Sequence, residues 1–396
     1  MKITIVSAMF PPVQTGTSFY TKNLADTLAA NGHDISLVTV ENNNLPSQSY
    51  NYKVYYLKAL HVPLPGFFKH FKISAFYLKN YSLLKKVVLN SGADVILLVN
   101  HYLDIAFPAI YAARKCSIPL ICSVGTQLQS SKKFRNCLLN FFDRLICGNL
   151  IFPFCNKVIA WDTQILKYLN DVHGEHVVSK TAIANYAPNG NLKNYLAHKQ
   201  NYKMHNQILG VGAITEQRNF LPLIYVFILL APVFPNLKLK IIGHIYNDEA
   251  VKLAYANGLG NRIVFTGEKP HDFVIEEMKC SDMFYASLTG KYIGMGTATI
   301  EAMLLGVPVV VNTPSRLLGK ITLNDMTNFV SSYELSYIQI AGKMKKLLQQ
   351  KKIRSEIGKN GRKFVSKNMN WDIVSHDILK ILSNTKDEFK KNNKIY

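Results

Sequence analysis

The chain has 396 residues, 48% of them apolar, which is more than one ordinary core holds, so two domains are expected, or two with a tail. Its 46 lysines and arginines against 25 acidic residues leave a net charge of +21, implying an anionic partner: nucleic acid, anionic lipid or a phosphorylated substrate. Six cysteines without a C-x-x-C pair point to a reduced cytoplasmic protein rather than a disulfide scaffold, and the longest uncharged apolar run, Phe220 to Phe234, is broken by Pro222 and Pro232 and falls short of the ~20 residues that a bilayer span needs.

The opening MKITIVSAMFPP is too short and too β-branched for a signal peptide and reads as a first strand. The loop PPVQTGTS follows, then a helix from about Ser18 to Ala30, then the turn and strand NGHDISLVTV, which together make a βαβ opening. Gly16 lies between strand and helix, at the carboxyl end of the sheet, where open α/β sheets bind ligands. His33, in the turn after the helix, is assigned a structural role. From Asn42 to Ala93 there is no acidic residue, and Phe67, Phe68, Phe71, Phe76 and Tyr77 interleave with Lys69, Lys72 and Lys79. At helical spacing the segment 66–86 has an apolar side bordered by cations. It fits either a helix lying in an anionic membrane surface or an ordinary amphipathic helix with its phenylalanines in the core.

ADVILLVNHYLDIAFPAIYAARKCSIPLICSV predicts strand, helix, strand, with His101 after the first strand as a packing or hydrogen-bonding residue. Asn136 to Pro153 is aromatic and apolar around Asp143 and Arg144, and KVIAW supplies another strand. The polar stretch from Ala187 to Gln207 reads as the link between domains. From Gln207 the layout of the first forty residues repeats: ILGVGAI, the loop TEQRN, an apolar helix from Phe220, and NLKLKIIGHI. A strand ending near Gly267, the helix DFVIEEMKCSD and the strand MFYASL lead to Tyr292–Val311. After Ala341 the chain is helical and basic, and a last helix is headed by Trp371.

Turn, helix and strand signals interlock in YIGMGTATIEAMLLGVPVVV, Tyr292 to Val311. Gly294 and Gly296 let the backbone approach a ligand, Thr297 can cap a helix with the apolar stripe Ile300, Met303 and Leu304, and Gly306 and Pro308 end it before a buried strand. The N–H groups of Met295, Gly296 and Thr297 therefore suit an anion, and Glu301, a turn into the helix, can accept from a neighbouring hydroxyl. The same pattern also fits a plain helix–strand unit with Glu301 in solvent. P-loop, zincin and nucleophile-elbow motifs are missing, as is any zinc-like Cys/His spacing. GVGAIT, 210–215, is a dinucleotide fingerprint without its third glycine.

Taken together, P-P-x-x-x-x-G after the first strand, N-G-H before the second, P-N-G at 188–190, G-x-G-x-x-x-x-E-A-M-x-x-G-x-P-V-V at 294–310, and I-G-K-N-G-R-K-F-V followed by Asn370 and Trp371 resemble the group 1 retaining glycosyltransferases of GT-B fold. The resemblance implies an α/β protein with two Rossmann-like domains facing across a cleft. Residues 1–195 would bind the acceptor and 196–368 the nucleotide-sugar, while 369–396 would cross back to the first domain as a helix with a basic tail. It implies that Glu301 binds the ribose, that Gly294, Met295, Gly296 and Thr297 border the diphosphate, that Gly16 gives the phosphates room, and that Arg218 places charge on the leaving group. No metal or other cofactor is implied.

Three positions depart from the family's pattern. Ile293 stands where a glutamate contacts the transferred sugar, Ala213 where an arginine precedes the diphosphate-binding position, and Gly125 where the first domain has a histidine. Lys291, His101 or His244 are available as replacements. The expected function is transfer of a hexose-type sugar from a UDP- or GDP-sugar to a lipid-linked or polysaccharide acceptor, with retention, in cell-envelope glycan synthesis, by a cytoplasmic protein peripheral at the inner membrane face. The alternatives are a non-catalytic relative acting as a binding or scaffold subunit of a partner glycosyltransferase, and a sugar-nucleotide epimerase. Nucleic acid is set aside because the charge is shared, with 19 basic and 9 acidic residues up to 195 and 27 and 16 beyond.

Overall fold

A computed structural model of the chain describes all residues except Gln14, 43–48, 62–71, Leu103, 129–132, 189–194, 198–203, 216–217 and 394–396, and the side chain of Lys133. It divides into two compact units, Met1–Tyr186 with Trp371–Tyr396, and Ala187–Asn370. The division falls nine residues before the expected boundary at 195, because Tyr195 is buried in the second unit, where its hydroxyl reaches Glu301. The last helix begins at Trp371 rather than 369.

The first unit is built on a parallel sheet of β1 (Lys2–Val6), β2 (Asp34–Val40), β3 (Lys53–Leu57), β6 (Val95–Val99), β7 (Leu120–Val124), β8 (Lys157–Ala160) and β9 (Thr181–Ile183), in the order 3-2-1-6-7-8-9. The central strands β6 and β7 are buried along their whole length, as their unbroken Val/Ile/Leu runs require when helices cover both faces. The helix Trp371–Asn393 packs on the helix Gly16–Ala30 of this unit. Trp371 meets the Tyr20 ring at 5.6 Å, and Lys386 pairs with Asp94 at 2.7 Å.

The single basic helix expected over 66–86 does not form as such. Phe67, Phe68, Lys69 and Phe71 lie outside the described residues. Lys72–Ile73 is a short strand, β5, antiparallel to β4 (Leu60–His61), and the helix starts only at Leu78. Asp104 accounts for the break: its carboxylate accepts from the backbone N–H groups of Ser74 and Ala75, which pins that turn in a non-helical form. Lys72 reaches back to the Asn42 side chain at 3.1 Å, and Phe76 is left in solvent.

A different stretch carries the exposed apolar surface. Lys133–Asp143 continues through a π-helix, Arg144–Ile151, and a short 3₁₀ turn, so that Phe134–Phe154 runs as one helical rod. By length and composition it is apolar enough to cross a bilayer, contrary to the expectation that no stretch is, and only 28% of its most apolar window is buried. Phe134 is 85% exposed and Phe141 58%.

The second unit repeats the plan with β10 (Gln207–Val211), β11 (Lys238–Ile242), β12 (Ile263–Phe265), β13 (Met283–Ala286), β14 (Val309–Val311) and β15 (Val330–Ser331), all parallel, in the order 12-11-10-13-14-15. Its core joins Ile208, Phe227, Ile241, Met344 and Leu347 from the sheet and its covering helices. Gly210, half of the broken fingerprint, is a packing glycine: a Cβ there would stand 2.6 Å from the Phe220 ring that closes on the strand. In each sheet the strand order reverses beside the first strand of the unit, between β1 and β6 and between β10 and β13. Ligands of doubly wound sheets bind at the carboxyl side of such a reversal.

Candidate functional site

The reversal in the second sheet brings two loops together. After β10 the chain turns through Gly212, whose φ of +140° suits glycine, and reaches Arg218. The guanidinium of Arg218 lies back over Gly212, 3.0 Å from where a Cβ would be, so a side chain at 212 would displace it. Arg218 is held by its own backbone N–H, which donates to Thr215 Oγ1 at 3.0 Å; the residue as a whole reaches solvent, but burial of its guanidinium against the loop lowers it below the usual arginine value. After β13, the Ser287 hydroxyl donates to the carbonyl oxygen of Asn219 and ties the second loop to the first.

The second loop then runs to the helix Thr297–Leu304. Gly296, not Thr297, is the N-cap, with φ +77° and ψ 147°, a conformation that disfavours any side chain. Of the two expected glycines only Gly296 is left-handed; Gly294 is half-buried in an ordinary conformation. The N-cap glycine has no side chain with which to cap the helix, and Thr299 Oγ1 donates to the Met295 carbonyl oxygen at 2.6 Å. Such an end is polarised to attract an anion.

Glu301 is buried, not solvated. Its Oε1 accepts from the Tyr195 hydroxyl at 3.3 Å and lies 3.1 Å from His271 Nε2. Burial first, and the adjoining Glu301 carboxylate next, push the Tyr195 hydroxyl well above its ordinary range and keep it a donor. Both contacts fall on Oε1, and among the described residues Oε2 has no partner, which leaves it to accept from a bound hydroxyl. Neither Tyr195 nor His271 was expected here. The only sequence signal for His271 is its place at the head of the helix His271–Lys279.

The hydrogen bond to Glu301 raises His271 above the usual histidine value, against an opposing effect of burial. A histidine whose folded value is raised adds stability that is complete below the unfolded value near 6.5 and lost as pH rises through the higher folded value. His271 is 44% exposed on its side chain, so solvent screening limits the gain to roughly a few tenths of a kcal/mol. Between pH 6 and pH 8 the wild type should therefore lose slightly more thermal stability than His271→Gln; parallel melting curves for the two chains would show the pair to be unimportant.

In the first unit, Gly16 opens the helix Gly16–Ala30 after the N-cap Thr15, and a Cβ there would meet nothing within 4 Å. Thr17 Oγ1 accepts from Asn100 Nδ2 at 2.9 Å, and Asn100 Oδ1 accepts from the Gly125 N–H at 3.1 Å, so Gly16 sits at the reversal between β1 and β6. Two of the three departures, Ile293 and Gly125, are built in. Ile293 is buried and offers its carbonyl oxygen to Thr313. A Cβ at Gly125 would fall 2.3 Å from the Trp161 indole, which is itself held by a 2.8 Å hydrogen bond to Ser123 and by the Tyr20 ring at 4.0 Å. Trp161 thus occupies the room that a histidine at 125 would need. Gly125→Ala should cost about 1–3 kcal/mol by overpacking, and Trp161→Ala in the same chain should remove the penalty; a denaturant midpoint unmoved by Gly125→Ala would contradict this packing.

The replacements differ in availability. His101 is buried beside Tyr168 and Asp143 and faces no solvent. His244, at the carboxyl end of β11, is exposed beside the Tyr246 ring, and Lys291 lies 5.1 Å above the Tyr292 ring in the loop before the helix.

Two family models match the chain, Glycosyl transferases group 1 over residues 193–364 and Glycosyltransferase Family 4 over residues 15–180. CapM of Staphylococcus aureus, a capsular polysaccharide biosynthesis glycosyltransferase, is 25% identical over 179 residues. That match takes in 44% of this chain and 45% of CapM, so the chain spans about half the length of the curated relative it matches. Among solved structures, a glycosyltransferase from Rickettsia africae superposes with a TM-score of 0.70 at 13% identity, covering 97% of this chain and 98% of that one. HepE of Anabaena, solved in complex with UDP, gives 0.71 at 16% identity, covering 97% and 100%. At those identities the likeness shows the fold, two Rossmann-like units of GT-B type. With one family model on each unit, the chain belongs to the group 1 glycosyltransferases of GT-B fold.

Proposed function

We propose that the protein transfers a hexose-type sugar from a UDP- or GDP-sugar to a lipid-linked or polysaccharide acceptor, with retention of configuration, in the synthesis of a cell-envelope glycan. The observation that carries this reading is Glu301, buried one turn into the helix that Gly296 opens, its Oε1 held by Tyr195 and His271 and its Oε2 without a partner among the described residues. The diphosphate would rest on the amides of Met295 to Thr297, beside Gly294, and the ribose hydroxyls would donate to Glu301. The second unit takes the donor and the first the acceptor, with Gly16 leaving room for the phosphates. HepE has been solved with UDP-glucose and CapM is a capsular polysaccharide glycosyltransferase, which supports a nucleotide-sugar donor and a glycan product.

In this reaction the bond from the anomeric carbon to the diphosphate breaks and a bond to the acceptor oxygen forms on the same face. The departing phosphate oxygen takes the acceptor's hydroxyl proton. Arg218 stabilises the charge that grows on the diphosphate, and the helix start adds fixed partial positive charge, so no metal or other cofactor is needed at the donor. With Ile293 in place of the family's glutamate, the sugar is held by fewer charged hydrogen bonds, and Lys291 and His244 are the exposed groups able to supplement them. A thermal-shift panel of UDP-, GDP-, ADP- and CDP-sugars, followed by product analysis with the best of them, tests the reading. Stabilisation by none of the four would remove it, and turnover without an acceptor would favour an epimerase.

A lipid-linked acceptor places the protein at the cytoplasmic face of the membrane. The exposed residues of Phe134–Phe154, with Arg135 and Arg144 on the same rod and a chain of net charge +21, support an anionic bilayer as the surface met, in place of 66–86. Changing Phe134, Phe141 and Leu145 together to glutamate should weaken sedimentation with anionic liposomes by roughly 10- to 100-fold. Binding that survives this triple change would take the membrane role away from the rod. The second reading is a scaffold subunit for a partner transferase, favoured by Trp161 filling the space beside Gly125 and by the buried Ile293. Turnover by the purified chain alone rules it out.

A further inference from the structure

Three side chains of the first unit that the transfer reaction does not use meet in its interior. His101 follows β6, Asp143 ends the helix Lys133–Asp143, and His173 ends the helix Thr163–His173. All three side chains are fully shielded from solvent. His101 Nε2 is 3.4 Å from Asp143 Oδ1, His173 Nε2 is 3.3 Å from Asp143 Oδ2, and one potential ligand atom from each residue lies within 4.8 Å of the other two.

Those separations are long for charge-assisted N–H···O bonds, which run to about 2.7–2.9 Å. They agree with the edge of a coordination tetrahedron, since two ligand atoms bound at about 2.0–2.1 Å stand roughly 3.3–3.4 Å apart. Hydrogen bonding leaves a deficit at the same place. His173 Nδ1 and Nε2, His101 Nδ1 and Asp143 Oδ1 are buried without a hydrogen-bond partner, a concentration that native interiors rarely tolerate unless a water or an ion completes it.

The surroundings fit a closed site. Tyr168 donates to Asp143 Oδ2 and lies 3.1 Å from His101 Nε2, an outer contact that orients both. Phe152 stacks on His101 at 5.3 Å and meets His173 edge-on at 4.8 Å, closing off water. Cys147, one turn beyond Asp143, donates its thiol to the His101 carbonyl oxygen at 3.7 Å and so helps to close the site. It sits on the π-helix, a form that single-turn insertions adopt most often at functional sites.

We propose that His101, Asp143 and His173 form a buried site for a divalent transition-metal ion, Zn²⁺ by preference. Two imidazoles and a carboxylate are a donor set that zinc takes readily, with a water to complete four-coordination. The site joins the loop after β6 to the ends of two helices, all within the first unit. The competing account is a metal-free network in which Asp143 shares protons with the two imidazoles.

The full chain, purified without an affinity tag of histidines and dialysed against a chelating resin, is assayed for metal by mass spectrometry before and after unfolding in guanidinium. The expected result is about one zinc per chain, released to a colorimetric indicator only on unfolding. Asp143→Asn and His173→Gln should each lose it, whereas the exposed His376→Gln should not. Since misfolding of either variant would also abolish metal binding, the wild type is in addition refolded with Zn²⁺ or with chelator, and zinc should raise the melting temperature by at least about 5 °C. Refolding with Co²⁺ should give the strong visible absorption of a four-coordinate ion. Trace metal with no difference between the two refolded samples would establish the proton-sharing network instead, and zinc retained by both cluster variants would mark it as adventitious.

Discussion

Glu301→Ala should weaken binding of the donor nucleotide-sugar by roughly 10- to 100-fold. A hydrogen bond to a charged group contributes about 1.5–3 kcal/mol, and about 1.4 kcal/mol is tenfold in affinity. The same change removes the acceptor for the Tyr195 hydroxyl and the partner of His271. Losing the Tyr195 hydrogen bond to a charged acceptor costs a further ~1.5–3 kcal/mol, so the variant should melt earlier as well as bind less. Glu301→Gln separates the two effects, since its amide oxygen can still accept from Tyr195 while the charge is gone. It should keep most of the stability and lose part of the affinity. Tyr195→Phe retains the carboxylate and loosens its support, and should reduce affinity less than Glu301→Ala does. Calorimetric titration with UDP-sugar, UDP and the bare sugar reads these differences. A folded Glu301→Ala chain that binds the donor as tightly as the wild type would separate Glu301 from the ribose.

Arg218→Ala should reduce kcat by roughly 10²- to 10³-fold, the usual consequence of removing a group that meets charge developing in the transition state. Donor affinity should change much less, because the diphosphate is already charged in the ground state and the helix start at Gly296 still holds it. Arg218→Lys should recover part of the rate, since lysine brings the charge without the two-pronged geometry. Stability should change little: the guanidinium packs over Gly212 but has no ion-pair partner among the described residues. Loss of donor binding in step with loss of rate would show that Arg218 holds the substrate uniformly. A rate unaffected by Arg218→Ala would leave the leaving group to be stabilised elsewhere, with Lys291 the next candidate.

Much of this protein is legible in the amino-acid order, for reasons of range. The doubled strand–loop–helix layout, the turn glycines Gly296 and Gly306, and the β-branched run to Val311 are local signals, decided within a few residues by allowed backbone angles and by periodicity. The apolar character of Phe134–Phe154 is equally local, but its exposure is not: whether a hydrophobic helix is covered depends on what the rest of the chain brings to it. The strand at Lys72–Ile73 shows the converse, since the Asp104 carboxylate, 30 residues from the Ser74 N–H that it accepts from, overrides a helical pattern.

Tertiary structure alone decided the partners. Tyr195 reaches Glu301 across 106 residues and His271 across 30, and neither separation has a periodicity that could announce it. Trp161 excludes a side chain at Gly125 because strands β7 and β8 lie side by side, a fact of sheet order and of indole volume. The buried cluster of His101, Asp143 and His173 arises in the same way. No short Cys/His spacing predicts it, since each residue is delivered by a different element and only the packing of those elements brings their nitrogen and oxygen atoms within reach of one another.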